Sequence, residues 1–136
     1  MKIANLILVM SIVLSVPAFA DNVEIRNVLM VKVGDTWHAE VTLYHKDSGF
    51  AHYVYQFRIV TESGTVLGSR ILYYPHVKQQ TFTRTLDNIK IPEDVSTVVI
   101  EAYDKVHGWS PEKVKLDLTR DEGDHYRIER YPSQKN

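Results

Sequence analysis

The 136-residue chain has no cysteine. Disulfides, thiol nucleophiles, iron–sulfur clusters and blue copper centres each need a cysteine sulfur, so all four are excluded. Cohesion must come from packing, or from packing plus a bound ion. The chain also has little charge of either sign to spare. Sixteen Lys and Arg stand against seventeen Asp and Glu, a formal charge of −1. That balance argues against a nucleic-acid or anionic-membrane partner. There is no Gly-x-Ser-x-Gly elbow, no His-Glu-x-x-His pair and no phosphate-cradling glycine loop, so no residue is assigned a catalytic role. Glu93-Asp94 reads as a solvated turn rather than a working carboxylate pair.

The first twenty residues set the compartment. Lys2 precedes an apolar run from Ile3 to about Val16, followed by Pro17-Ala18-Phe19-Ala20-Asp21. A positive start, an apolar stretch and an Ala-x-Ala end are the parts of a secretory signal peptide. The reading is therefore a signal peptide over 1–20, and a periplasmic or secreted mature protein. An uncleaved anchor would need a longer run than one broken by Asn5, Ser11 and Ser15. No later segment is long and apolar enough to span a membrane after signal cleavage. No cysteine follows the run to carry a lipid.

Beyond residue 20 the chain lacks any helix-period segment of useful length. Valine, isoleucine, threonine and tyrosine dominate between closely spaced turns, which predicts strands. Seven are expected, at 23–33, 37–45, 52–61, 65–74, 81–91, 96–104 and 113–119. In the second, Ala39, Val41 and Leu43 alternate with Glu40 and Thr42, as a half-buried strand does. In the third, Tyr53, Tyr55, Phe57 and Ile59 share a face. In the fifth, the apolar phase slips from Phe82 and Leu86 to Ile89 and Ile91, which predicts a bulge near Asp87-Asn88. Residues 121–136 are polar and read as a tail. The expectation is all-β: a seven-stranded antiparallel β-sandwich over 21–120, immunoglobulin/fibronectin III-like. Val98 to Asp104, followed by Gly108, resembles the sixth strand of fibronectin type III domains.

Strand direction turns scattered histidines into a group. With each strand antiparallel to its predecessor, His45, His76 and His107 end strands at one pole, and His52 begins a strand there. Asp47 and Asp104 join them; His38 falls at the other pole and His125 in the tail. Imidazoles with a carboxylate suit zinc or copper. The preferred ligands are His45, His76 and His107, with His52 and Asp104 as further ligands or as groups that orient them. Two other readings stay open: histidines that merely cap loops, and a pH-sensitive or organic-ligand site, because imidazole titrates near neutral pH. Asp47, Tyr44, Tyr53, Tyr74 and Trp109 are ligand-binding candidates, the aromatics as a stacking surface for a small ligand or an unknown protein. The alternative is that these aromatics face the core.

Four strings resemble a group of small secreted bacterial β-sandwich proteins without an assigned activity. They are His45-x-Asp47-x-Gly49-Phe50-x-His52-Tyr53, Gly64-Thr65-x-Leu67-Gly68-x-Arg70, Pro75-His76-Val77 with Phe82-Thr83-Arg84, and His107-Gly108. The resemblance spans about 37–118. Members carry tryptophan where Phe50 stands and histidine where Tyr74 stands, which implies fewer histidine ligands here. The resulting expectation is an exported periplasmic binding domain of unknown specificity with a histidine-rich ligand or metal site. The alternative is a plain protein–protein interaction module whose histidines are structural.

Overall fold

The computed structural model describes residues 22–134, so the expected signal peptide lies outside the described residues. The chain forms strands β1 (Glu24–Val33), β2 (Thr36–Tyr44), β3 (Val54–Thr61), β4 (Val66–Ile71), β5 (Thr81–Ile89), β6 (Thr97–Asp104), β7 (Gly108–Trp109), β8 (Val114–Asp117), β9 (Glu122–Gly123) and β10 (Tyr126–Tyr131). Among the described residues there is no helix. One sheet runs β5-β2-β1-β10-β9. The other runs β4-β3-β6-β7, with β8 also on β6. Between them lies one core, in which Val28, Met30, Val41 and Leu43 of the first sheet meet Phe57, Ile59, Ile100 and Leu116 of the second. These side chains are almost wholly removed from water. Burying each contributes on the order of 1.5–3 kcal/mol. Without disulfides, this burial is the main term holding the fold.

The all-β class holds, but the expected seven strands are ten, and two differences have clear causes. β7 and β8 pair with the end and the start of β6 respectively. Pro111 lies between them, and proline has no amide to continue a ladder. The segment expected as a polar tail carries β9 and β10. Tyr126 and Ile128 of β10 are buried while Arg127 is exposed, and β10 pairs with β1 in parallel. Its alternation rests on only two inward residues among charges, which hid it in composition. β10 is still antiparallel to its predecessor β9; strict alternation fails instead between β7 and β8, which both run antiparallel to β6.

Bulges in β5 and β3 redirect side chains. The predicted irregularity in β5 is present: the register against β2 slips around Asp87 and Asn88, and Asn88 has a left-handed φ of 55°. An unpredicted slip in β3, between Val54 and Gln56 against β6, changes which side chains point inward. Val54, Phe57 and Ile59 face the core, and Tyr55 turns to the outer face beside Tyr103. The expectation that Tyr53 and Tyr55 share the face of Phe57 fails for that reason.

Candidate metal centre

Three connections meet at one end of the two sheets: 45–53 between β2 and β3, 72–80 between β4 and β5, and 105–107 between β6 and β7. The first folds back on itself. The amide of Ser48 donates to the carbonyl of His52, and the amide of His52 to that of Gly49. This returns His52 to His45, with ring centroids 4.8 Å apart at 75°. The third is clipped by Asp104, the last residue of β6. Asp104 Oδ1 accepts the amides of Val106 at 2.9 Å and His107 at 2.8 Å. Gly108 follows with φ 75°, a conformation glycine adopts without penalty, and the chain reverses sharply enough to bring His107 over the site. The His52 and His107 ring centroids are 5.0 Å apart.

Two buried carboxylates organise these rings. Asp104 is 0% exposed and Asp47 4%. Asp104 Oδ1 lies 3.1 Å from His107 Nδ1 and 3.2 Å from His52 Nε2. The second separation is short, but its angle makes no hydrogen bond, so His52 Nε2 is a buried nitrogen without a hydrogen-bond partner. Asp47 Oδ1 pairs with His45 Nδ1 at 2.5 Å and accepts the amide of Val54 at 3.2 Å, while Oδ2 accepts the amide of His76 at 2.6 Å. Burial pushes the Asp47 carboxyl up. The bonds from His45 and from the amides of His76 and Val54 outweigh it and hold the group below the usual carboxylate range. Among the described residues neither aspartate lies within ion-pair distance of a lysine or arginine.

His45, His52 and Asp104 each offer one ligand atom, and the three atoms lie within 4.8 Å of one another. The four pole histidines and both aspartates do come together, but the division of labour differs from expectation. His76 stands apart from the donor group. Its ring stacks on Phe82 at 3.9 Å and 12°, and its Nε2 accepts a bond from Arg84 Nη2 at 2.7 Å. Burial and then the Arg84 charge push the His76 imidazole below its ordinary pKa. His52 and Asp104, expected as secondary, are members of the donor set. His38 sits far away against Asp87, and His125 Nδ1 donates to the Arg26 carbonyl.

The aromatic candidates scatter. Tyr44 points to Arg26, whose guanidinium carbon lies 4.1 Å from the ring centroid. Tyr53 is buried, edge-on to Phe50 and Tyr55. Trp109 lies under Arg58 at 3.8 Å and edge-on to Tyr103. Tyr74 alone stays exposed near His76. No single stacking surface forms, because the β3 bulge and the alternation of strand faces send these rings to different sides. Sequence reasoning missed Arg84, whose signal was its place two residues after Phe82 in the Phe82-Thr83-Arg84 string.

No family model matches the chain, and no curated protein matches it. Among solved structures the chain is similar to a superoxide reductase (1Fe-SOR) from Giardia intestinalis, with 14% identity and a TM-score of 0.42, over 70% of this chain and 99% of that one. It is also similar to a superoxide reductase (neelaredoxin) from Ignicoccus hospitalis, with 15% identity and a TM-score of 0.41, over 79% of this chain and 80% of that one. The expectation of a binding domain of unknown specificity, and its alternative of a plain interaction module, find no counterpart there: both solved structures are named as reductases. Zinc and copper find no support in them either. At such identities the likeness assigns no activity by itself. Any assignment has to rest on the donors at the pole.

Proposed function

We propose that the histidine pole is a mononuclear non-haem iron centre with a redox function. The observation that carries this reading is the donor set itself: two imidazoles and one carboxylate, His45 and Asp104 buried and His52 half-buried, in a chain with no thiolate. Two histidines and one carboxylate with positions left open is the ligand pattern of non-haem iron(II). The residues fit such an ion. They supply negative charge that no permanent cation balances among the described residues, and His52 brings a buried nitrogen that lacks a hydrogen-bond partner. Bound iron would supply one-electron redox chemistry at the positions the protein leaves open.

The surrounding residues prepare the donors. Asp47 accepts a hydrogen bond from His45 Nδ1–H, which fixes the ring's orientation and directs Nε2 to a ligand role. His107 and the amides of Val106 and His107 hold the Asp104 carboxylate in place. His45, His52 and Asp104 would hold the ion between them. The exported location belongs to the same reading and rests on the leader-like residues 1–20. N-terminal sequencing of protein taken from a periplasmic fraction should begin at Asp21, and a start at Met1 would remove that part.

The test is anaerobic reconstitution of the full chain with iron(II), followed by metal analysis. One iron per chain is expected, with His52→Ala and Asp104→Asn losing it by more than about a hundredfold in affinity. Superoxide, the substrate in the names of both similar structures, is then mixed with the loaded protein and the iron followed spectroscopically. Oxidation in the wild type is expected. Failure to take up iron stoichiometrically, or a site that holds zinc and refuses iron, would end the iron reading. Iron that stays reduced in the presence of superoxide would end the redox one.

A further inference from the structure

A second, basic hollow lies beside the pole, where β4 and β5, each an edge strand of its own sheet, face one another. Gly68 of β4 makes that approach close: a side chain there would meet Leu86 Cδ2 of β5 at 2.9 Å. Arg70 on β4 reaches across, its Nη1 donating to the carbonyl of Thr85 at 3.3 Å. Arg84 on β5 donates from Nη1 to the carbonyl of Thr83 at 2.7 Å. Two carbonyls two residues apart on β5 thus anchor the two guanidiniums. Both arginines line a hollow of about 210 Å³ with Tyr73, Tyr74 and His76, and no acidic residue contributes to its wall.

The other described arginines all have a carboxylate. Arg26 pairs with Glu24, Arg58 with Glu101, Arg120 with Asp117, Arg127 with Glu129 and Arg130 with Asp121. Arg70 and Arg84 have none within ion-pair distance among the described residues. Burial and the Arg84 guanidinium favour the neutral form of His76, and its Nε2 accepts a hydrogen bond from Arg84 Nη2. Two positive forks with unused donors therefore face one hollow. A guanidinium fork matches the oxygens of a carboxylate or phosphate.

We propose that this hollow binds a small oxyanion, held between the guanidiniums of Arg70 and Arg84. A volume below the roughly 300–1,000 Å³ of drug-sized sites keeps the occupant small. Tyr73 and Tyr74, both largely exposed at the rim, offer faces to whatever the anionic group is attached to. The site is separate from the metal donors; His76 links the two, its amide donating to Asp47, which in turn bonds His45.

The experiment titrates the full chain, stripped of metal by chelator and then dialysed, with inorganic phosphate, sulfate and benzoate at constant chloride. Removing the metal keeps this result distinguishable from failure of the iron reading, because an ion at the pole would itself attract anions. Saturable one-to-one binding of at least one anion is expected. Arg70→Gln and Arg84→Gln should each weaken it by at least about tenfold, Arg70→Lys by less, and Arg127→Gln not at all. Preference for benzoate identifies a carboxylate on an aromatic or apolar body; preference for phosphate identifies a phosphoryl ligand or the free ion. Absence of saturation up to about 10 mM for all three anions overturns the proposal. So does an affinity unchanged in Arg70→Gln, a variant that leaves the Arg84–His76 bond in place.

Discussion

Glu101 and the pair Asp47 and Asp104 are carboxylates buried to a similar depth, 7% against 4% and 0% exposed, yet they are neutralised by opposite means. Glu101, on β6, takes the Arg58 Nε and the Lys113 Nζ at 2.8 Å each. Burial raises its pKa, but the Lys113 and Arg58 bonds and charges more than reverse that and hold it low. Its two partners are permanently charged, so the group is already balanced and has no need of an ion. The two aspartates meet only imidazoles and amides. An imidazole, unlike a guanidinium or an ammonium, carries no permanent charge, and a buried carboxylate left without a permanent counter-charge is costly. The contrast shows where a cation would be stabilised in this fold and where it would not.

The largest effect that sharpens this contrast is expected from Asp104→Ala. It strips partners from two backbone amides and one imidazole, and should destabilise the protein by about 2–5 kcal/mol in urea unfolding. It should also abolish the response to metal. In the wild type, iron(II) at about a hundred times its dissociation constant should add roughly 2.7 kcal/mol of stability, and in Asp104→Ala none. An equal response in both would place the ion elsewhere.

Next comes Glu101→Gln, which leaves Arg58 and Lys113 without their carboxylate. Both cations are partly exposed and partly screened, so a loss of about 1–3 kcal/mol at pH 7 is expected. Its pH dependence follows from the lowered pKa. The unfolded group ionises near its ordinary value of 4.5, so the stabilisation is present in full above that pH. It is lost as pH falls from there through the lower folded value, because the unfolded chain binds the proton first. Unfolding curves of wild type and Glu101→Gln should therefore converge in acid. A gap that persists below both values would mean that Glu101 acts through packing rather than charge. Metal affinity should not change in this variant, which is the cleanest separation of the two regions.

Asp47→Asn should act more narrowly. The amide can still accept one backbone bond, but it no longer fixes His45 by charge, and affinity for iron should fall about 10–100-fold. Competition against a chelator of known affinity measures it, and no change would remove Asp47 from any role in orienting His45. The smallest effect belongs to an exposed pair such as Lys115 with Glu62 at 3.7 Å. Lys115→Ala should shift stability by less than about 0.5 kcal/mol and leave metal binding untouched.

Much of this arrangement can be read along the chain. The alternation of Ala39, Val41 and Leu43 marks β2 because side chains of a strand change face at every residue. Turn residues mark the strand ends, and short connections force antiparallel neighbours, which is enough to bring His45, His52, His76 and His107 to one end. The phase slip between Leu86 and Ile89 betrays the β5 bulge in the same way. Tyr55 could not be placed by such reasoning: the β3 slip at Val54 and Gln56 exists only against β6, and no local pattern records it. β10 escaped for a related reason. Its partner is β1, about a hundred residues away, and a parallel pairing leaves no hairpin turn to announce it.

The sequence by itself determined the class of chemistry. With no cysteine anywhere and histidines and aspartates at the strand ends, any metal here is held by nitrogen and oxygen. It also determined the all-β class and the pole at which the histidines meet, since both follow from period and turn spacing. Which side chains form the donor set was decided only in three dimensions. His76 and His52 look alike along the chain, each beside a strand end. Stacking on Phe82 and the bond from Arg84 turn His76 toward the basic hollow, while the folded-back 45–53 loop turns His52 toward Asp104. Ring orientation depends on contacts between residues distant in sequence, and those contacts exist only once the two sheets have closed around their core.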